Sequence, residues 1–385
     1  AAAAPSRQHA QAAGAAGMSG ATAQPPRHLD ALTGIRGIAA WGVVFYHIRL
    51  SLTGLLPGWM IGVLGKGYLA VDLFFILSGF VIWYNYADKL RRGGWAEARL
   101  FLWRRFARVW PLHAAVLCAF VGLAALLLAT GRDASGYPLA ELPLHFALVQ
   151  NWGLTRDLAW NHPAWSISTE LAAYLLFPLV VMAARWEHWP RWALYALLLA
   201  LAGTVHAVFA RNGHTALGND IAGLGLWRCL GEFAMGMVLC ILWQRWTSSG
   251  GRAWRAAIAC LFWLTTCLAW RLPETATVPL LFFLGLAALS LDRGAAARVL
   301  GSRWLVWLGE ISYSTYLAHF LLFIVWKLLF VDASLQLGWA GLAGFLATVL
   351  AASAGLYYGL EKPAQRWLNR RPPLWASQPA ALPAE

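Results

Sequence analysis

The stretch His28-Leu-Asp-Ala-Leu-Thr-Gly-Ile-Arg-Gly-Ile-Ala-Ala-Trp-Gly-Val-Val-Phe-Tyr-His47 decides how the chain is read. It is an apolar helix long enough to enter a bilayer, yet it carries ionisable groups at Arg36 and His47. An ionisable group inside a span is a functional candidate by default. The two stand eleven residues apart, which at about 100° per residue returns to one helix face and at 1.5 Å per residue separates them by about 16 Å. One face of one helix therefore offers a cation near one membrane surface and an imidazole well towards the other. The plainer alternative is an arginine that sets topology and a histidine satisfied by a neighbouring helix.

The rest of the chain supplies the membrane context. Of 385 residues, 60% are hydrophobic and only 12% charged, with 24 tryptophans, too apolar for an ordinary soluble domain. The net charge of +13 does not indicate nucleic acid, because the basic residues punctuate apolar segments instead of gathering on one solvated face. Five cysteines, Cys118, Cys229, Cys240, Cys260 and Cys267, lie in apolar segments without metal-site or redox spacing, so neither a disulfide framework nor a metal site is expected.

Residues 1–27, rich in Ala with Gln, Gly and Pro, are expected to form a disordered tail. Apolar segments follow at about 31–51, 69–87, 107–129, 165–184, 192–210, 222–243, 254–271, 276–291, 304–329 and 338–360, most near the roughly twenty residues a crossing helix needs. The expectation is an all-α, polytopic transmembrane helix bundle of about ten spans over 28–365, with 366–385 as a cytoplasmic tail. Threading the spans with the amino terminus inside leaves only eight of the 30 Lys and Arg residues outside or in outer half-spans, so both termini are expected to be cytoplasmic. The segment 130–164 becomes the longest outer loop, too short for a separate domain.

Depth along these spans groups the ionisable side chains. Arg36, Arg105, Arg108 and Glu310 fall in the inner third, and His47, Glu170 and Asp72 towards the outer half. A His–carboxylate pair makes a general base at neutral pH, because the carboxylate fixes the tautomer and stabilises the imidazolium. A structural ion pair would place the same residues together. Arg228 and Glu232, at i and i+4, are expected to neutralise each other, and His319 is the other histidine deep in a span. The run Trp103-Arg-Arg-Phe-Ala-Arg-Val-Trp-Pro111 puts Arg105 and Arg108 on one face, where forked guanidiniums can bind phosphate; topology alone would also place arginines there. No Walker-type loop occurs, so a nucleotide would be held by its phosphates and not hydrolysed.

In sequence order, these segments resemble the acyltransferase-3 family of integral membrane acyltransferases, which acylate extracytoplasmic sugars, lipids or secondary metabolites from cytoplasmic acyl-coenzyme A. The similarity rests on Leu29-Asp-Ala-Leu-Thr-Gly-Ile-Arg-Gly37 with Arg36 and His47, on Gly67-Tyr-Leu-Ala-Val-Asp-Leu-Phe-Phe-Ile-Leu-Ser-Gly-Phe80, and on Arg105-x-x-Arg108 with Trp110-Pro111. His162-Pro-Ala-Trp-Ser-Ile-Ser-Thr-Glu170 and Gly309-Glu-Ile-Ser-Tyr-Ser-Thr-Tyr-Leu-Ala-His319 complete it. Each motif alone is weak; five in order are specific. Thr33 departs mildly from the family pattern, and the hydrolase-like outer domain that some members append is not found.

The resemblance implies a catalytic His47 oriented by Glu170, with Arg36, Arg105 and Arg108 binding the phosphates of acyl-CoA, acetyl-CoA being the expected donor. Asp30, Asp72, Ser78, Trp165, Tyr313 and His319 are candidates to line the cavity, and Ser166, Ser168 and Tyr313 to hold the oxyanion. His47 acts either as general base or as the acylated residue. The acceptor is expected to be a carbohydrate, lipid-linked or small-molecule hydroxyl, and the setting a bacterial inner membrane. A proton-coupled transporter using the buried His and Glu residues is the alternative, though no paired repeat relates 28–210 to 211–365.

Overall fold

A computed structural model describes residues 29–248, 252–332 and 334–376, and all regular structure among them is helical. The expected disordered tail lies outside those residues, as does the C-terminal tail from residue 377. The first helix, α1, is Asp30–Ile48. A helical run Ala70–Ala129 of 60 residues follows, about 90 Å if straight and three times the thickness of a bilayer core. It is broken at Gly94, whose φ of 53° with ψ of −137° is open to glycine and strained for other residues. The ring of Phe101 then lies 5.0 Å from that of Tyr86, where fifteen residues of straight helix would hold them about 22 Å apart. The run therefore doubles back as two helices, α2 (70–93) and α3 (95–129).

Beyond these lie α4 (Ala164–Ala183), α5 (Arg191–Arg211), α6 (Ile221–Ser248), α7 (Ala253–Ala269) and α8 (Glu274–Leu291). The expected segment 304–329 divides at Ile311 into α9 (Arg303–Glu310) and α10 (Ser312–Phe330). Helix α11 (Trp339–Leu356) passes through a π-helical turn, Tyr357–Glu361, into α12 (Lys362–Arg370). Eight helical stretches among the described residues are long and apolar enough to cross a membrane, the longest being Gly58–Ala129, and α7 adds a shorter apolar helix. The chain is a polytopic helical membrane protein.

Small residues let the helices that carry the candidate site touch backbone to backbone, as is common where no hydrophobic effect drives helices together. A Cβ on Gly309 would fall 1.9 Å from the Thr33 carbonyl oxygen, and one on Gly37 would fall 2.7 Å from the Gly309 nitrogen. Helix α1 thus lies directly on α9, which brings Arg36 to the Gly309 carbonyl. Gly79 and Gly236 make the same contact between α2 and α6, each 1.9 Å from a carbonyl oxygen of the other helix once a Cβ is added.

That second contact corrects one expectation. Arg228 does not turn to Glu232 one helical turn away. Its fork meets Asp72 of α2, with Nε and Nη2 each 2.6 Å from a carboxylate oxygen, while Nη1 donates to the Leu217 carbonyl at 2.9 Å. Two parallel hydrogen bonds across a helix crossing outcompete an i,i+4 pair whose side chains must bend along their own helix. Asp72, fully buried, is consumed by this pair and is not a carboxylate for His47.

The loop between α3 and α4 departs furthest from expectation, because it folds back into the bundle. His113 meets the His145 carbonyl at 2.8 Å, and Trp110 Nε1 donates to the Phe146 carbonyl at 3.0 Å. His113 lies sixteen residues, about 24 Å along the axis, from the end of α3 at Ala129. Such backbone survives at membrane depth only when protein satisfies it. Here Asn151 Nδ2 donates to the Ile221 carbonyl and Asn161 Nδ2 to the Leu317 carbonyl, and Leu148 and Trp160 take left-handed backbone at φ of 57° and 55°. The consequence is that α4 begins deep in the bundle, beside Leu317, about 20 Å below the end of α10 at Phe330.

Candidate active site

Two cavities lie along the face of α1 that carries Arg36 and His47. The first, with about 930 Å³ of empty space including its open mouth, gathers Arg36, Ser78, Arg105, Arg108, Glu170 and Tyr313 from five helices. The second, with about 730 Å³, is lined by His47, His162 and Trp165 among others. Val71 and Tyr316 face both and form the partition. The Tyr316 hydroxyl donates to the Pro163 carbonyl at 3.0 Å and meets Ser166 Oγ at 2.8 Å.

The arginines of the first cavity are not equivalent. Arg36 donates through Nε and Nη2 to one acceptor, the Gly309 carbonyl, at 3.1 and 2.7 Å. Arg105 donates to the Tyr86 hydroxyl at 3.1 Å and lies over the rings of Tyr86, Phe101 and Tyr174, with its buried Nε unpartnered among the described residues. Neither guanidinium pairs with a carboxylate among the described residues. Arg108 does pair, with Glu361, whose second oxygen accepts from Ser314 at 2.6 Å. Glu361 escaped the sequence reading because it follows directly on the apolar segment 338–360; the π-helical turn rotates it back into the bundle.

Glu170 also lies in the first cavity, where Ser78 donates to it, and it lines no part of the cavity of His47. The expected His47–Glu170 pair is therefore not formed. Equal depth follows from the sequence only if α4 starts at the membrane surface, directly after an outer loop. Because the preceding loop re-enters, α4 starts lower and Glu170 drops to the level of the arginines.

His47 finds a histidine instead. Nδ1 of His319 lies 3.1 Å from the Thr315 carbonyl, four residues back on its own helix, and its Nε2 lies 3.1 Å from His47 Nδ1. A carbonyl accepts only, so Nδ1 of a neutral His319 carries the hydrogen and Nε2 is an acceptor. The His47 Nδ1–H then serves both His319 Nε2 and the Val43 carbonyl, the latter at 3.0 Å. This tautomer leaves His47 Nε2 as the basic nitrogen in the second cavity. His319 thus stands where the sequence reading had placed Glu170.

The other candidates divide. Ser78 and Tyr313 line the first cavity and Trp165 the second, whereas Asp30, in the first turn of α1, lines neither. Two of the three expected oxyanion donors donate elsewhere, and the third, Ser168, lines neither cavity. Tyr313 donates to the Val109 carbonyl at 2.7 Å, Ser166 bonds to Pro163 and Tyr316, and Ser168 Oγ accepts from the Asn151 backbone at 3.1 Å. His162, in the loop, stacks on Phe320 with ring centroids 4.8 Å apart, and burial lowers its pKa from the usual 6.5. Among the described residues no group of three His, Cys, Asp or Glu side chains is placed to hold a metal ion.

Residues 29–358 match the acyltransferase-3 family, described as an acyltransferase domain. The chain is 30% identical to the acyltransferase MdmB of Streptomyces mycarofaciens over 389 positions, covering 91% of this chain and 95% of that protein. It is 34% identical over 199 residues to protein 2 in the picA locus of Rhizobium radiobacter, covering 48% of this chain and 96% of the relative. The O-acetyltransferase OatA of Staphylococcus aureus is 24% identical over 237 residues, 57% of this chain but 35% of OatA. No solved structure matches.

Proposed function

This chain belongs to the acyltransferase-3 family, and from that premise we propose that it moves an acyl group, acetyl by preference, from cytoplasmic acyl-CoA to a hydroxyl of an extracytoplasmic acceptor. The acceptor is a carbohydrate, lipid-linked or small-molecule alcohol. One observation carries the reading: two guanidiniums that form no ion pair among the described residues open onto one cavity, and the same face of α1 presents a basic imidazole nitrogen to the next cavity. An anion with a long flexible arm fits both ends, the phosphates on Arg36 and Arg105 with Arg108 beside them, and the thioester near His47. The donor supplies an activated acyl carbon. Ten passes with both termini cytoplasmic put the arginine cavity on the donor's side.

His47 Nε2 takes the proton of the acceptor hydroxyl and returns it to the departing thiolate. His319 and the Val43 carbonyl hold the opposite nitrogen and fix the ring, and Glu170 with Tyr174 offers polar contacts to the donor's amide-bearing arm. Incubating isolated membranes with acetyl-CoA labelled in its acetyl group tests this directly. His47→Gln, which cannot accept the proton, should insert normally and bind the donor yet transfer no label; unreduced transfer would remove His47 from the chemistry. Sidedness is checked by labelling Arg92→Cys and Ser135→Cys on intact cells with an impermeant thiol reagent. Reaction at residue 92 but not at 135 would invert the topology.

A further inference from the structure

Attack of a hydroxyl on a thioester leaves the former carbonyl oxygen with a full negative charge, and losing one donor to such an oxygen costs about 10²–10³ in rate. Ser166 and Tyr313 donate elsewhere, and Ser168 lines neither cavity. Several polar groups of the His47 cavity are committed too, Arg49 through Nη1 and its stacking over the Tyr46 ring. Tyr68 donates to Glu274, Arg49 to the Tyr46 carbonyl, and Arg228 to Asp72 and the Leu217 carbonyl. One turn of chain, His162-Pro-Ala-Trp165, keeps two N–H donors free.

The position of this turn is specific. His162 stacks on Phe320, and His47 meets the same ring edge-on with centroids 5.3 Å apart, so the two imidazoles share one wall. The His162 ring lines the same cavity as His47, and no hydrogen-bond partner engages it among the described residues. Trp165 is 6% exposed and sets the Cε3–Cζ3 edge of its indole against Gly225 of α6, which turns the Nε1–H edge away from that helix, again without a partner among the described residues. Both side chains stand where the twenty-residue α4 begins, with the positive end of its dipole inside the bundle.

We propose that the His162–Trp165 turn is the oxyanion-binding element of acyl transfer, its two side-chain N–H groups donating to the acyl oxygen while His47 receives the acceptor's proton. The proposal rests on the acyl-transfer reading above. The hydroxyl oxygen bonds to the acyl carbon, its proton goes to His47 Nε2, and the electron pair of the C=O moves onto oxygen between His162 and Trp165. Collapse re-forms the carbonyl, breaks the C–S bond and passes the proton from His47 to sulfur. His162 neither gains nor loses a proton. Burial lowers its pKa, which keeps it a neutral donor.

The test measures initial rates of acetyl transfer from labelled acetyl-CoA to the endogenous acceptor in isolated membranes. Trp165→Phe deletes the N–H and keeps an aromatic ring; His162→Ala deletes the donor, and His162→Gln restores one. Trp165→Phe and His162→Ala should each lower the maximal rate about 10²-fold with the KM for acetyl-CoA unchanged, and His162→Gln should recover part of the loss. Rates within threefold of the unaltered protein for both deletions, or losses that appear only in KM or in the amount of folded protein, would overturn the assignment. Full transfer by His47→Gln, or no transfer by the unaltered protein, would refute the acyl-transfer reading itself.

Discussion

Glu361 offers the sharpest single perturbation, because the structure sets it as the counter-charge of Arg108, one of the guanidiniums that line the cavity proposed for phosphates. Its side chain is 1% exposed and pairs with Arg108, which is 24% exposed, while Ser314 holds its other oxygen. Glu361→Gln keeps the shape and an acceptor for Ser314 but leaves Arg108 without its counter-charge. Breaking a buried pair from one side costs about 3–5 kcal/mol, and the partial exposure of Arg108 places this case near about 3 kcal/mol. An anionic donor would replace the missing charge. If it regains half the loss, about 1.5 kcal/mol, coenzyme A should bind roughly tenfold tighter to the variant than to the unaltered protein. Equilibrium binding of coenzyme A in detergent, with thermal denaturation at a fixed scan rate, reads both effects. Arg108→Met combined with Glu361→Gln should restore most of the stability and abolish the gain in affinity. A Glu361→Gln protein of undiminished stability and unchanged or weaker coenzyme A binding would refute the reasoning.

Three further outcomes are expected. Arg105→Lys should weaken coenzyme A binding about tenfold despite keeping its charge, since an ammonium cannot reproduce the planar fork or the stacking on Tyr86; equal affinity would remove Arg105 from the donor site. Gly79→Ala should lower the thermal midpoint through about 1–3 kcal/mol of overpacking against the Phe233 carbonyl, whereas Gly42→Ala, with nothing within 4 Å of its Cβ, should not; equal midpoints would mean that α2 and α6 do not touch there. Burial pushes the His145 imidazole down to about 4, with Glu141 at 3.9 Å too distant to offset it. The unfolded chain therefore binds the extra proton first, so stability should fall by up to about 3 kcal/mol as pH drops from about 6.5 to about 4. His145→Gln should flatten that slope, and an unaltered slope would place its cause elsewhere.

Much of this architecture is legible in local pattern. Apolar length gives the helices, and eleven-residue spacing puts Arg36 and His47 on one face of α1 whatever surrounds it. Arg105 and Arg108 reach the same cavity as Arg36 because all three begin apolar segments at one end of the bundle. What is not legible depends on partners distant in sequence. Gln150, Asn151 and Asn161 read as a polar surface loop, since nothing nearby reveals that Ala164, Ile221 and Leu317 will accept their hydrogen bonds. That single re-entry moves Glu170 away from His47 and leaves the place to His319. Arg228 shows the same limit, because i,i+4 spacing advertises Glu232 while the helix crossing at Gly79 and Gly236 delivers Asp72.

The re-entrant loop also constrains how the protein is made. Its anchors, Ile221 and Leu317, lie 70 and 156 residues downstream of the asparagines that bind them, and His319 lies 272 residues after His47. During synthesis the loop must wait in its pocket's absence until α6 and then α10 have been inserted, so neither half of the chain can assemble a working site in advance of the other. Ribosome-bound chains stopped before α10 should expose residues 142–163 to protease, and the exposure should vanish once that helix emerges.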